Sequence, residues 1–211
     1  MRERPIRMSA PMVRAILART KSQTRRVKTA PPNSYRFAND GEFNPPPCPG
    51  PHDAGYWINS DDERVNCPYG ASGARLWVRE TFSYTHNDAQ GFADTGEVLY
   101  WADGNPQDGD WSKLCPSIHM PRWASRITLE ITGVRVERLQ EISEADCVAE
   151  GTPCYVCGKH MDGRSEDDCH CFHRRAHSSD YRTLWESING RGSWDANPYV
   201  WALTFRRIGD A

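Results

Sequence analysis

The stretch from residue 126 to 136 limits what this chain can fold into more than any other part of it. Ile127, Leu129 and Ile131 alternate with Thr128, Glu130 and Thr132, the period of a strand with one buried and one wet face. Gly133 interrupts the pattern and Val134 and Val136 resume it, which predicts a bulge inside one long strand. Residues 75–82 alternate in the same way, and 56–58 and 98–101 are shorter runs of strand formers. In a last strand over 199–206, Tyr199, Trp201, Leu203 and Phe205 share one face. Helices are fewer. Ser9 caps a first one that starts around Pro11, carries Met12, Ala15 and Ile16 on one face and ends near Arg19. Ser143 caps a second, which Gly151 ends, so Glu150 is its last residue. Tyr181, Leu184, Trp185 and Ile188 form a third stripe, capped by Ser179 or Asp180 and stopped at Gly190. Strands with short helices and long connections predict an α+β fold around a small twisted sheet or barrel.

The chain reads as a single domain over 1–211, with a loop insertion at 30–66 that is rich in proline and glycine, and an excursion at 152–178. The excursion holds Cys154, Cys157, Cys169 and Cys171, with His160, His170, His173 and His177 nearby and almost no aliphatic residues. Two short-spaced cysteine pairs predict a structural zinc that stands in for a missing core, with four thiolates or three thiolates and a histidine as ligands. A catalytic zinc fits less well, since four good ligands close the site. Cys48, Cys67, Cys115 and Cys147 are scattered and read as inert.

With 26 basic and 28 acidic residues there is no global polycation, so any nucleic-acid contact needs a local patch. No apolar run approaches the roughly 20 residues of a membrane span. No apolar stretch follows the first arginines, so no secretory signal is expected and the expected location is cytoplasmic.

The chemistry is expected at Lys21-Ser22-Gln23-Thr24-Arg25-Arg26, just past the first helix. Cations after a helix are ordinarily solvated, or hold a phosphate. Partly buried, Arg25 and Arg26 would instead push the Lys21 pKa down and make it a base toward a hydroxyl or a water. Trp111 and Trp123 lie in irregular segments and are candidates for stacking a base, whereas Trp77, Trp185 and Trp201 read as core. Glu80, at a strand end, is a second carboxylate candidate.

That stretch, Gly73-Ala74-Arg75-Leu76-Trp77-Val78, the long strand, the helix after it and the last strand together resemble the ASCH domain family, a branch of the PUA-like β-barrel superfold. The likeness covers about half of the residues. The whole chain is similar to phage and prophage proteins of this type, some of them called morphogenetic proteins. Small bacterial ASCH enzymes hydrolyse N4-acylated cytidines. The resemblance implies Lys21 as base, Thr24 as nucleophile or water-orienting group, Arg26 as substrate or oxyanion contact and Glu150 as acid/base; the neighbouring Arg25 is expected as a further substrate contact. The expected function is therefore an amidohydrolase of N4-acylated cytosine nucleosides or nucleotides. The alternative is a non-enzymatic RNA- or DNA-binding module of phage origin, in which Lys21, Arg25 and Arg26 hold phosphate with Arg2, Arg4, Arg7 and Arg14.

Overall fold

One mixed sheet collects strands from both ends and the middle of the chain. The computed structural model describes residues 3–27, 36–38, 56–58, 64–84, 98–104, 113–152 and 177–209. In chain order, β1 (Glu3–Arg7) leads into α1 (Ala10–Leu17) and β2 (Gln23–Val27). The short strands β3 (Arg36–Ala38), β4 (Tyr56–Ile58) and β5 (Arg64–Val65) follow. Next come β6 (Arg75–Arg79), β7 (Phe82–Tyr84), β8 (Val98–Tyr100) and the long β9 (Thr128–Arg138). The chain continues through α2 (Glu144–Ala149) and α3 (His177–Asn189) to β10 (Tyr199–Ile208).

The main sheet has the order β1-β6-β9-β10-β2. β1 and β6 run parallel and the other pairs are antiparallel. Opposite β10, Thr204 faces Gly133 while Phe205 faces Ile131, so Thr132 is the extra residue of the bulge expected at Gly133. Alternation on β10 divides the molecule. Trp201, Leu203 and Phe205 join Ile6, Val13, Ile16, Leu129 and Ile131 in one core, whereas Val200 joins Cys147, Tyr181 and Trp185 in a second core under α2 and α3. Trp77, Trp185 and Trp201 are all buried.

The barrel does not close. Among the described residues β1 and β2 are the edges of an open sheet, and they meet through a side chain instead of a ladder. Arg26 on β2 donates from Nη2 to the Arg7 carbonyl at 2.6 Å and to Met8 Sδ at 3.2 Å. Five strands, with both edges only five residues long, leave a gap that a guanidinium spans.

Four local expectations are corrected. The strand expected over 75–82 breaks after Arg79, because buried Glu80 pairs in two-pronged fashion with Arg126 (3.0 and 3.0 Å) and Phe82 turns to bond Cys115. Trp101 leaves its strand and opens a 3-10 turn. The insertion at 30–66 holds a three-stranded sheet, β3-β4-β5, rather than loop alone. α3 also starts at His177, inside the excursion as first bounded. No helix among the described residues is long and apolar enough to cross a membrane.

Candidate active site

The site starts with the way α1 ends. Thr20 and Lys21 both donate their N–H to the Ala15 carbonyl, at 2.9 and 3.1 Å, and Arg19 takes a left-handed φ of 61°. This reversal turns Lys21 inward instead of leaving it on a helix end in water. The end of α2 arrives at the same point, where Ser22 N–H donates to the Ala149 carbonyl at 2.8 Å. Ser143 caps α2 by accepting from Asp146 N–H at 3.1 Å, and Glu150 is the closing residue. Gly151 then leaves with φ +66°, and a Cβ there would lie 2.9 Å from Lys21 Cβ and 3.0 Å from Ala15 Cβ. Gly151→Ala should therefore lose about 1–3 kcal/mol, from left-handed strain and from the crowding of Lys21. Chemical denaturation checks this: an unchanged midpoint would mean that the contact relaxes freely.

Lys21 donates from Nζ to Glu150 Oε2 at 2.8 Å and to the Glu150 carbonyl at 2.7 Å. Arg25 completes the ring of charges. Its Nη1 donates to Glu150 Oε1 (3.1 Å) and Gln23 Oε1 (3.3 Å), its Nε to Glu137 Oε1 (2.7 Å) and its Nη2 to Asp146 Oδ2 (3.1 Å). Arg135 reaches Glu137 at 3.3 Å and Asp146 at 3.1 Å. Lys21, Arg25 and Arg135 thus face Glu137, Asp146 and Glu150, and formal charge cancels within the cluster.

Burial pushes the Lys21 pKa down and Glu150 opposes the shift; Arg26 and Arg25 add smaller downward effects. The expected depression of Lys21 is present, with desolvation rather than its cationic neighbours as the main cause. Burial also works against a charged Arg25, but Glu150 and Glu137 more than offset it and raise its pKa. At Asp146 burial is outweighed by a hydrogen bond from Gln23 and by Arg25 and Arg135, which hold the carboxyl below its ordinary value.

Above this cluster lies a cleft of about 170 Å³. Thr24 and Arg26 point to one face of β2, Arg25 and Val27 to the other, yet all four line the cleft, so it straddles the free edge of that strand. One bank is Arg7, Met12 and Tyr69; the other is Tyr181 and the α3 residues Leu184, Trp185, Ile188 and Asn189. Glu150 is its acidic lining residue. Lys21 lies behind Glu150 and does not line the cleft. The Thr24 hydroxyl makes no hydrogen bond among the described residues.

No family model, curated protein or solved structure matches the chain.

The structure therefore brings Lys21, Thr24, Arg25, Arg26 and Glu150 together from two places far apart in sequence. Trp123 is 44% exposed and lies away from the cleft lining. Trp111 and Cys154, Cys157, Cys169 and Cys171 lie outside the described residues. No group of three His, Cys, Asp or Glu suited to a metal occurs among the described ones. Glu80 is held by Arg126, which also grips Asp103 at 2.6 and 2.8 Å, and it stands apart from the cleft. The Cys67 and Cys147 thiols are pushed up by burial, to about 11 and about 12, which fits inert groups.

Sequence reasoning named Arg7 only as a phosphate-holding cation of the binding alternative, and passed over Tyr69 and Tyr181 as cleft residues and Glu137 and Asp146 as partners of Arg25. Asp146 was visible only as a residue near a helix cap, and Trp185 only as part of an apolar stripe. The one available signal was the unusual run of charges on both strands, Arg25-Arg26 on one and Arg135 to Glu137 on the other, which β10 separates by a single strand.

Proposed function

We propose that this chain is an amidohydrolase that acts on N4-acylated cytosine nucleosides or nucleotides. The observation that carries the reading is the contact of Lys21 with Glu150, 129 residues away, beside a cleft that Thr24 and Arg26 also line. A cleft smaller than the ~300–1,000 Å³ of ordinary ligand pockets suits one base, with its sugar outside. Amide hydrolysis needs a nucleophile, a proton acceptor and a donor to the leaving amine. The Thr24 hydroxyl, or a water it orients, attacks the acyl carbon. The Lys21–Glu150 pair takes the proton and returns it to N4 through Glu150, the member that faces the cleft. The C–N bond breaks, and acid and free amine leave. With Thr24 as nucleophile, water then hydrolyses an ester on it. Arg26, which lines the cleft, serves as a substrate contact.

The cations that a nucleic-acid module would require are mostly engaged elsewhere. Lys21 and Arg25 are buried in the neutral cluster. Arg4 donates to the Pro68 carbonyl at 2.6 Å and Arg14 to the Ala102 carbonyl at 3.1 Å. A hydrolysis screen over N4-acylated cytosine, cytidine and deoxycytidine tests the reading. Release of the free base or nucleoside is expected; no turnover together with steeply salt-dependent RNA binding would return the protein to the binding-module class.

We also infer a structural zinc held by Cys154, Cys157, Cys169 and Cys171, a reading that rests on cysteine spacing. Protein purified under reducing conditions without chelator should contain about one zinc per chain. Cys154→Ser should lower that content and leave the five-stranded sheet folded. Metal-free wild type would sink the reading.

A further inference from the structure

We propose that the cleft carries an anion subsite at Arg7 and Arg26 that takes a phosphate beside the base, so that the preferred substrate is an acylated cytidine nucleotide rather than the free nucleoside. The proposal rests on the amidohydrolase reading for the identity of the base. Its support is the distribution of partners in the cleft.

Of the three arginines in the described lining, Arg25 has its donors taken by carboxylates, while Arg7 and Arg26 make no ion pair among the described residues. The sole acidic group of the lining among the described residues, Glu150, is already held by Lys21 and Arg25. Arg26 gives Nη2 to the Arg7 carbonyl and Met8, and its buried Nε has no partner among the described residues. The guanidinium of Arg7 is exposed at the mouth of the cleft and has no partner among the described residues. Burial lowers the Arg26 pKa, Tyr69, Glu150 and Tyr181 oppose the shift, and the Arg7 cation adds a smaller lowering effect, so the two cations lie near enough to repel. An anion between them removes that repulsion and accepts from both forks, the arrangement in which arginine binds phosphate best.

A second unpartnered donor lies on the opposite bank. Trp185 Nε1 is buried without a hydrogen bond among the described residues, although Trp185 lines the cleft. Buried N–H groups in native proteins are nearly always bonded. Both residues line the cleft, and a ligand with acceptors at both ends, a phosphate at Arg26 and a ring carbonyl at Trp185, would serve both donors.

The test compares N4-acetylcytidine, its 5′-monophosphate and a short oligonucleotide containing the same base. The phosphorylated forms should show a KM at least about tenfold lower, with a preference that weakens as salt rises. The lower KM of the two assigns the phosphate to a free nucleotide or to a strand; either result supports the subsite. Arg7→Gln, at an exposed position, should bring the KM ratio of nucleoside to nucleotide toward one. Trp185→Phe keeps the ring and removes the N–H, and should raise KM for all three substrates. Equal KM values for nucleoside and both phosphorylated forms overturn the proposal. If the wild type hydrolyses none of them, the amidohydrolase reading fails on its own, and calorimetric titration with cytidine 5′-monophosphate and cytidine decides the subsite. Tighter binding of the monophosphate that Arg7→Gln abolishes sustains it, and equal binding sinks it.

Discussion

Arg25→Met should destabilise the fold by about 3–5 kcal/mol, the range for removing one partner of a buried ion network. The Arg25 side chain is wholly buried and its donors serve Glu137, Asp146, Glu150 and Gln23. Methionine fills the volume of the stem but leaves three carboxylates around an apolar site. Lys21 still holds Glu150, and Arg135 still holds Glu137 and Asp146, so the effect should sit near the lower end of the range. Arg25→Lys should fall between, because a point charge cannot reproduce the fork. The pH dependence has a definite sign. Asp146 is held below its ordinary value, so its contribution is complete above the unfolded pKa, about 3.9, and is lost as pH falls through the lower folded value. In Arg25→Met that depression shrinks or reverses. The stability gap between wild type and mutant should therefore be widest near neutrality and should narrow below about pH 4, as Asp146 loses its charge. Denaturation midpoints across pH 3–8 measure it. A constant gap would mean that packing, not charge, is what Arg25 supplies.

The second large effect is on turnover. Glu150→Gln and Lys21→Met should each lower hydrolysis of an N4-acylcytidine by about 10²–10⁴ or more, the scale of acid–base catalysis. Glutamine can neither take nor give the proton. Lys21→Arg should fail as well, since a guanidinium does not deprotonate. Thr24→Ser should keep part of the rate if the hydroxyl attacks, and Thr24→Val none. Because Lys21 is buried against Glu150, its loss should also reduce stability, unlike that of a solvated helix-end lysine. A folded-fraction measurement must accompany each rate. Burial lowers the Lys21 pKa, so a rate that needs the neutral amine should rise with pH and level off below the ordinary lysine value of about 10.4. The same shift makes the folded state bind fewer protons than the unfolded one between the two pKa values, so this contribution to stability grows with pH there. Full activity in Lys21→Arg would point to charge alone, as a phosphate-holding lysine requires.

Local rules carried the elements with the strongest patterns. Alternation through Gly133 located β9 and its bulge, because a strand's side chains take opposite faces whatever surrounds them. The Ser143 cap and Gly151 exit bounded α2 and placed Glu150 at its end, since caps answer to backbone groups a few residues away. The same rules missed the break at Glu80, where a long-range pair with Arg126 overrides strand propensity.

The seam was beyond them. Whether a five-stranded sheet closes depends on how its edges approach, and Arg26 reaching the Arg7 carbonyl records that approach after the whole sheet has formed. The sequence by itself determined which residues carry charge and hydroxyl beyond α1, and that Glu150 ends a helix. Only the tertiary structure decided that Lys21 and Arg25 lie in a neutral buried cluster while Arg7 and Arg26 line the cleft without an ion pair among the described residues. A charge's protonation and pairing depend on burial and on neighbours brought from afar, and neither is encoded in local spacing.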